Sequence, residues 1–348
     1  MEAKHEQSAY TLDILSKYCG FTSFDNFIKS VAASNDHQPK HQNDELLFYL
    51  VTLFKNTEVK DANDFTFYKL VRHTITFLES HPSLIDELQC EIAKTSNGQT
   101  FYFEQFINID RLNGHYGNGL RYYLNEKRTL DAQLFGNYHL CLKYWLTLDN
   151  TELKKRYNDI LSFDISQKMT AASAAYFFAS QILYAHAADA NADSILVKAR
   201  HYYTAFDAAK ENQYSAIRFY YTMSQTLILT EQYEEALFYI DDFMKYIKKH
   251  PLNHSDNGIL YNLYLLKSIA VYYCIDKSLA RQIFETINPF NFFFLSREFM
   301  TILYLSLKQG FKKSAIEQSH INHLIKKTGF SRLLAEKEVA GLISYCSN

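Results

Sequence analysis

The chain has 348 residues, 47% of them hydrophobic, and its 36 Lys plus Arg stand against 38 Asp plus Glu for a formal charge of −2. That is enough apolar material for a large core, and without a basic excess a whole-chain grip on a nucleic-acid backbone is disfavoured. Gly is 10 and Pro is 4, so 14 of 348 residues; this is roughly 4% against about 12% in average usage. Such a count excludes a collagen-like or linker-rich chain and a many-turned β-sandwich, and favours long helices joined by short polar turns.

Cysteine usage and the N-terminus bound the setting. Cys19, Cys90, Cys141, Cys274 and Cys346 form no CxxC pair and are odd in number, which argues against a disulfide framework and a thiolate zinc site. They read as thiols of a reducing compartment. The opening MEAKHEQSAY is charged and polar, so no secretory signal is expected. Apolar stretches such as 46–54 and 290–295 fall far short of the roughly 20 residues that span a bilayer. The expectation is a cytoplasmic protein with no membrane segment.

In chain order, the first pattern lies in residues 8–30. Leu12, Leu15 and Cys19 make one apolar stripe, Gly20 can take a left-handed cap, and Ser23 can open a second helix carrying Phe24 and Phe27. This is a short helix–turn–helix. Gly20, Phe21, Thr22 and Ser23, followed by Phe27 and Lys29, resemble the second DNA-reading unit of arabinose-regulator-type transcription factors. Ser8, Tyr10, Thr11, Leu12, Tyr18, Gly20 and Phe21 are also similar to an element of Bacteroidetes regulators of uncharacterised function, and 101–125 extends that likeness. The resemblance implies a regulatory role, with Lys29 as a DNA or anion contact. Two features oppose it. The chain begins seven residues before the motif, so the DNA-binding region that precedes it in those regulators is expected to be absent. Asp25 on the second helix also faces phosphate badly. The competing reading of 1–31 is a two-helix cap docked on the rest of the chain.

The polar stretch 32–44, which holds Pro39, predicts a linker. A helical region over 45–165 follows, with helices expected over 46–55, 65–79, 83–94, 120–126, 130–148 and 152–161 and Ser83 as an N-cap. Gly114, Gly117 and Gly119 lack the strand and lysine of a phosphate loop and read as a tight turn between helices. A softer break falls at 163–168.

The region 168–348 is the most regular. Tyr233, Ala236, Leu237, Ile240, Phe243, Met244 and Ile247 form one helical stripe. The preceding segment puts Ile217, Tyr220, Tyr221, Ser224 and Leu227 on one face, and Thr230, Glu231 and Gln232 break the pattern. First helices of successive pairs are expected near 172, 216, 256 and 296, a spacing of roughly 40 residues, as in two-helix repeats. No pair can bury its apolar face alone, so neighbours must stack.

Residues 223–240 resemble the tetratricopeptide-repeat (TPR) family. Ser224 takes the small position where a first helix crosses its neighbour, and Tyr233 and Ala236 match the aromatic and small residues that open the second helix. The likeness is full for one repeat and covers about 170–310 more loosely. It implies an all-α protein of antiparallel helix pairs, stacked as a TPR-like right-handed solenoid that presents a concave face to a partner.

Chemistry-bearing clusters are sparse. Asp189, Asn191 and Asp193 open like a calcium loop, but Ser194 and Arg200 replace its glycine and bidentate glutamate, so an interhelical turn is expected. His320 and His323 lie one helical turn apart and are expected beside Ile316 and Leu324 at the edge of the core. The pairs His37/His41 and His250/His254 lack carboxylates at ligand spacing. No nucleophile elbow, HExxH motif or Cys–His arrangement occurs. We therefore expect no catalytic site, no cofactor and no metal.

Tyr 27 and Phe 27 are the anomaly of the composition. Large rings fill gaps between helices, and tyrosine is also enriched at recognition surfaces. Tyr202, Tyr220, Tyr221, Tyr261 and Tyr264 are the candidate partner-binding residues for a peptide or protein segment. Residues 301–348 carry seven basic and three acidic side chains. Lys326 and Lys327 there are candidate DNA or anion contacts beside Lys29, although nucleic acid is the less favoured partner.

Overall fold

The computed structural model describes residues 13, 16–17, 21–32, 42–59, 64–163, 169–205, 213–251 and 257–334. Among the described residues every regular element is helical and none is a strand. The chain divides into two compact units, the first of Met1–Ile107 with Asn118–Arg128 and the second of Asn108–Gly117 with Thr129–Asn348.

The first unit holds α1 (Phe24–Ala32), α2 (Gln42–Asn56), α3 (Phe65–Leu78), α4 (Ile85–Ile92), a π-helix (Gly98–Gln105) and most of α5 (His115–Glu126). Aromatic edges hold its centre. Phe54 lies 5.8 Å from Phe67 and 6.3 Å from Tyr102, and Phe67 lies 4.9 Å from Phe101, all in the edge-on geometry that ring quadrupoles favour. The start of α1 is tied by Ser23, whose hydroxyl accepts from the Asn26 amide, and by Asp13, which accepts from the Phe24 amide at 2.8 Å. Phe27 is buried and packs 5.4 Å from Tyr49 of α2. Residues 8–12 and 18–20, which carry much of the N-terminal resemblance, lie outside the described residues, as do 33–41 of the expected linker.

Two expectations need correction here, and one element was not foreseen. Ser83 caps no helix: Pro82 opens a 3-10 turn over Pro82–Leu84, and α4 starts only at Ile85 with no side-chain cap. Gly117 and Gly119 sit inside α5 rather than in a turn. A Cβ on Gly117 would stand 2.0 Å from the Leu112 carbonyl oxygen, so only glycine lets the chain close against the preceding 3-10 turn (Ile109–Arg111). The π-helix was not expected at all, because its wider turn leaves no 3.6-residue stripe to read.

The second unit is a series of consecutive helices that pack in pairs joined by short turns. They are α6 (Leu130–Leu146) with α7 (Asn150–Leu161), α8 (Ala171–Ala187) with α9 (Asp193–Ala205), and α10 (Gln213–Leu229) with α11 (Tyr233–Lys249). Next come α12 (Asn257–Cys274) with α13 (Lys277–Glu285), then α14 (Arg297–Phe311) with α15 (Ala315–Thr328). First helices begin at 130, 171, 213, 257 and 297, so the steps are 41, 42, 44 and 40 residues. Each packs against its own partner and against the next first helix, α6 on α8, α8 on α10, α10 on α12 and α12 on α14. The regular spacing thus starts one pair earlier than the sequence suggested. Nearly all of α6 is buried, every residue from Leu134 to Leu146 included, and a helix buried all round shows no polar face to mark its period.

The pairs also share a joint. Leu148 (φ 62°), Asp189 (φ 49°) and Glu231 (φ 60°) are the non-glycine residues with left-handed backbone among the described residues. Each stands two positions past the end of α6, α8 or α10. The following amides of Asp149, Ala190 and Gln232 donate back to the carbonyls of Tyr144, Ala185 and Leu227 at 2.9, 2.9 and 2.8 Å. This is the fold-back that closes a helix C-terminus, repeated at the same place in three consecutive pairs. Ser224 of α10 and Ala236 at the start of α11 are fully buried. The start of α14 is capped by a residue distant in sequence, Asp110, which accepts from the amides of Glu298 (3.0 Å) and Phe299 (2.9 Å).

Candidate functional site: a pocket at the ends of the first helices

The C-terminal halves of the five first helices of the second unit contribute to one pocket. Trp145 of α6, His186 of α8, Ile228 of α10, Ile269 of α12 and Leu307 of α14 all line one pocket, which a 3-10 turn (Ser331–Leu334) completes with Arg332 and Leu333. Counted out to its open mouth, the pocket measures about 670 Å³. Six of its thirteen lining residues are aliphatic, and Tyr233 and Tyr273 stack at 4.4 Å within it. Burial raises the Tyr233 hydroxyl well above the usual tyrosine range, so it stays protonated as a donor.

One part of the wall is polar. Arg332 is only 6% exposed. Its Nε donates to the Trp145 carbonyl at 2.6 Å, and its guanidinium lies 4.6 Å from the centre of the Trp145 ring. The Trp145 side chain is 2% exposed, and its indole Nε1 has no hydrogen-bond partner among the described residues. His186 packs its ring 5.4 Å from the indole, and its buried Nδ1 likewise has none. Burial, and then the Arg332 charge, lower the His186 pKa, which keeps the imidazole neutral at pH 7. A buried donor left unsatisfied costs about 1–3 kcal/mol.

The candidate partner-binding tyrosines lie elsewhere. Tyr220 is 4% exposed and stacks on Phe243 at 5.4 Å between α10 and α11. Tyr221 is half-buried, and its hydroxyl accepts from Asn262 at 3.0 Å; burial pushes its pKa up to about 12. Tyr261 and Tyr264 are half-buried on α12 either side of Asn262. Tyr202 of α9 donates to the Met169 carbonyl at 3.3 Å and packs near Phe178 and Phe219. The structure therefore brings Tyr221, Tyr261 and Tyr264 to neighbouring helices and sets Tyr220 in the core. Tyr264 and Tyr273 are nine residues apart on α12, about 14 Å along a helix, so this group stands well away from the pocket.

Lys29 is exposed on α1, and Lys326 is exposed in the last turn of α15. Lys327 is paired with Glu298 at 2.6 Å, and Glu298 also takes both terminal nitrogens of Arg111, at 3.1 and 3.2 Å. His320 and His323 are exposed, and Ile316 is 84% exposed, so they do not lie along the core edge as the sequence suggested; only Leu324 turns inward. Asp189 serves the left-handed joint, and Asn191 accepts from the Asp193 amide at 2.6 Å at the start of α9. Among the described residues no cluster of three or more His, Cys, Asp or Glu could hold a metal ion, and no helix is long and apolar enough to cross a membrane.

No family model, curated protein or solved structure matches this chain. The sequence reading missed the pocket's polar residues. The one available signal was that Trp145 is the only tryptophan in the chain; Arg332 was counted among the tail's cations, whereas it is buried.

Proposed function

We propose that the protein is a non-enzymatic, cytoplasmic helical-repeat interaction protein. Its second unit is a TPR-like right-handed solenoid that holds a peptide or protein segment along the concave row of first helices. The observation that carries this reading is the serial packing of five first helices at steps of 40 to 44 residues, with the half-buried Tyr221, Tyr261 and Tyr264 on two neighbouring members. Tyrosines that keep an exposed edge supply contact area with little loss of conformational entropy. The regulatory alternative, DNA contact through Lys29, Lys326 and Lys327, has weaker support, since Lys327 is already paired with Glu298 and Phe27 is spent on packing against Tyr49.

The test is capture of partners in the native cell by wild type and by Tyr221→Ala, Tyr261→Ala and Tyr264→Ala. The reading expects a partner whose recovery falls with these substitutions while thermal stability changes little. Partners recovered equally by every variant, or a DNA affinity that falls steeply with salt, would reject it.

A further inference from the structure

We infer that the pocket and the turns around its mouth are a docking site for a basic amphipathic peptide segment, one apolar side chain of which enters the pocket. This does not rest on the tyrosine reading, because none of Tyr221, Tyr261 and Tyr264 lines the pocket.

The argument starts from what surrounds the mouth. The lining residues Trp145, His186, Leu229 and Tyr273 each stand at the end of a first helix, directly before the turn to its partner. Leu148 is 46% exposed, Ile275 61% and Leu334 45%, and each lies within three positions of a lining residue. A recess edged by exposed apolar side chains and a polar surround has the composition of a protein contact. A side chain seated in such a recess is the usual energetic anchor. A small molecule in the pocket would leave Leu148, Ile275 and Leu334 in water, whereas a chain segment covers both recess and edge.

Inside, the wall selects an uncharged side chain. Six lining residues are aliphatic, and Tyr233, Tyr273 and Ser306 add ring faces and hydroxyls. The Ser306 hydroxyl donates to the Ile302 carbonyl at 2.8 Å. Arg332 is held by the Trp145 carbonyl and the indole face, and its buried charge opposes a second cation at depth. An aliphatic or aromatic side chain enters without desolvating a charge.

Outside, charge sets the polar residues of the partner. The turns at 147–150, 188–193, 230–234 and 275–277 carry Asp149, Asp189, Asp193, Glu231, Glu234 and Asp276, all exposed, against one basic residue, Lys277. Asp149 and Asp276 also cap α7 and α13. Such a rim attracts Lys and Arg and repels carboxylates and phosphates. It therefore opposes a nucleic acid, an anionic lipid surface and the same rim of a second copy paired about a two-fold axis. Lys312 and Lys313 are exposed at the turn between α14 and α15, so the partner's basic residues lie over the turns from α6 to α13.

Trp145 is the only tryptophan, so its fluorescence follows a tryptophan-free probe. The full chain is titrated with a Leu/Lys amphipathic peptide, its Leu/Glu counterpart and a Ser/Lys peptide of equal length, with calorimetry in parallel. Saturable binding of the Leu/Lys peptide is expected, at least about ten-fold tighter than that of either other peptide, a difference of roughly 1.4 kcal/mol. Ser306→Phe, which fills the pocket, should weaken it about ten-fold, and so should Asp189→Asn combined with Glu234→Lys. Tyr221→Ala, Tyr261→Ala and Tyr264→Ala should leave it unchanged. In the wild-type protein, equal binding of the Leu/Glu peptide would overturn the charge assignment, and equal binding of the Ser/Lys peptide would overturn the apolar anchor, whether or not the variants fold. Loss of Leu/Lys binding in the tyrosine variants would overturn this site in favour of the tyrosine group, and the absence of any saturable response would overturn it outright.

Discussion

Arg332 and Trp145 are 187 residues apart in sequence, yet Arg332 Nε donates to the Trp145 carbonyl at 2.6 Å and its guanidinium lies 4.6 Å from the indole centre. One side chain thus fixes the last 3-10 turn against the first long helix of the second unit. A charge-assisted hydrogen bond contributes about 1.5–3 kcal/mol, and a desolvated cation–π contact can add about 2 kcal/mol. Arg332→Ala should therefore destabilise the protein by about 3 kcal/mol in denaturant unfolding. Arg332→Lys should lie between the two, since it keeps the charge and loses the planar fork. A loss below about 0.5 kcal/mol would mean that the turn is not held in this way.

The left-handed joints give a test with the opposite sign. Leu148 adopts φ 62° with its side chain 46% exposed. A non-glycine residue there costs about 1–2 kcal/mol, and glycine gives back part of the gain through greater unfolded-state freedom. Leu148→Gly should raise stability by up to about 1 kcal/mol. Destabilisation in thermal unfolding would show that the joint is not left-handed.

Gly117 should respond in the contrary direction to an ordinary helical glycine. Replacing an interior helical glycine by alanine usually stabilises by about 0.5–1 kcal/mol. Here the added methyl would meet the Leu112 carbonyl oxygen at 2.0 Å. Gly117→Ala should cost about 2 kcal/mol or more, measured as a shift in the urea midpoint at constant slope. A neutral or stabilising result would rule out the close approach.

Asp110 gives the pH dependence. It is buried beneath α14, and burial, only partly offset by the amides of Phe299 and Glu298, raises its pKa from 3.8 to about 6. Between about pH 4 and pH 6 the folded protein therefore holds a proton that the unfolded chain has released, so this group's contribution to stability falls as pH rises. The gap corresponds to about 3 kcal/mol. Asp110→Asn cannot titrate, so the stability of wild type relative to this variant should fall by up to that amount from pH 4 to pH 7. A difference that does not change with pH would place the carboxyl in water.

Much of the helix-pair pattern was legible because each second helix turns a polar face to water. The stripe from Tyr233 to Ile247 is interrupted by Glu234, Glu235, Asp241 and Asp242, and α11 runs over Tyr233–Lys249 as that pattern predicts. Where no polar face exists the pattern fails: α6 is buried all round, and the π-helix has the wrong period. The joints escaped notice because Leu148, Asp189 and Glu231 hold a conformation normally announced by glycine. The pocket was not legible for a different reason. Its polar wall depends on Trp145, His186 and Arg332 meeting in space, and no local spacing encodes that meeting. The tyrosines stood out by number, but number could not separate Tyr220, locked against Phe243, from the half-buried Tyr221 beside it.

The most direct test of the second unit as a binding body compares partner recovery from the native cell by wild type and by a variant carrying Tyr221→Ala, Tyr261→Ala and Tyr264→Ala together. The account predicts a partner whose recovery falls several-fold in the variant while the melting temperature stays close to that of wild type. A partner recovered equally by both proteins would contradict recognition along the row of first helices.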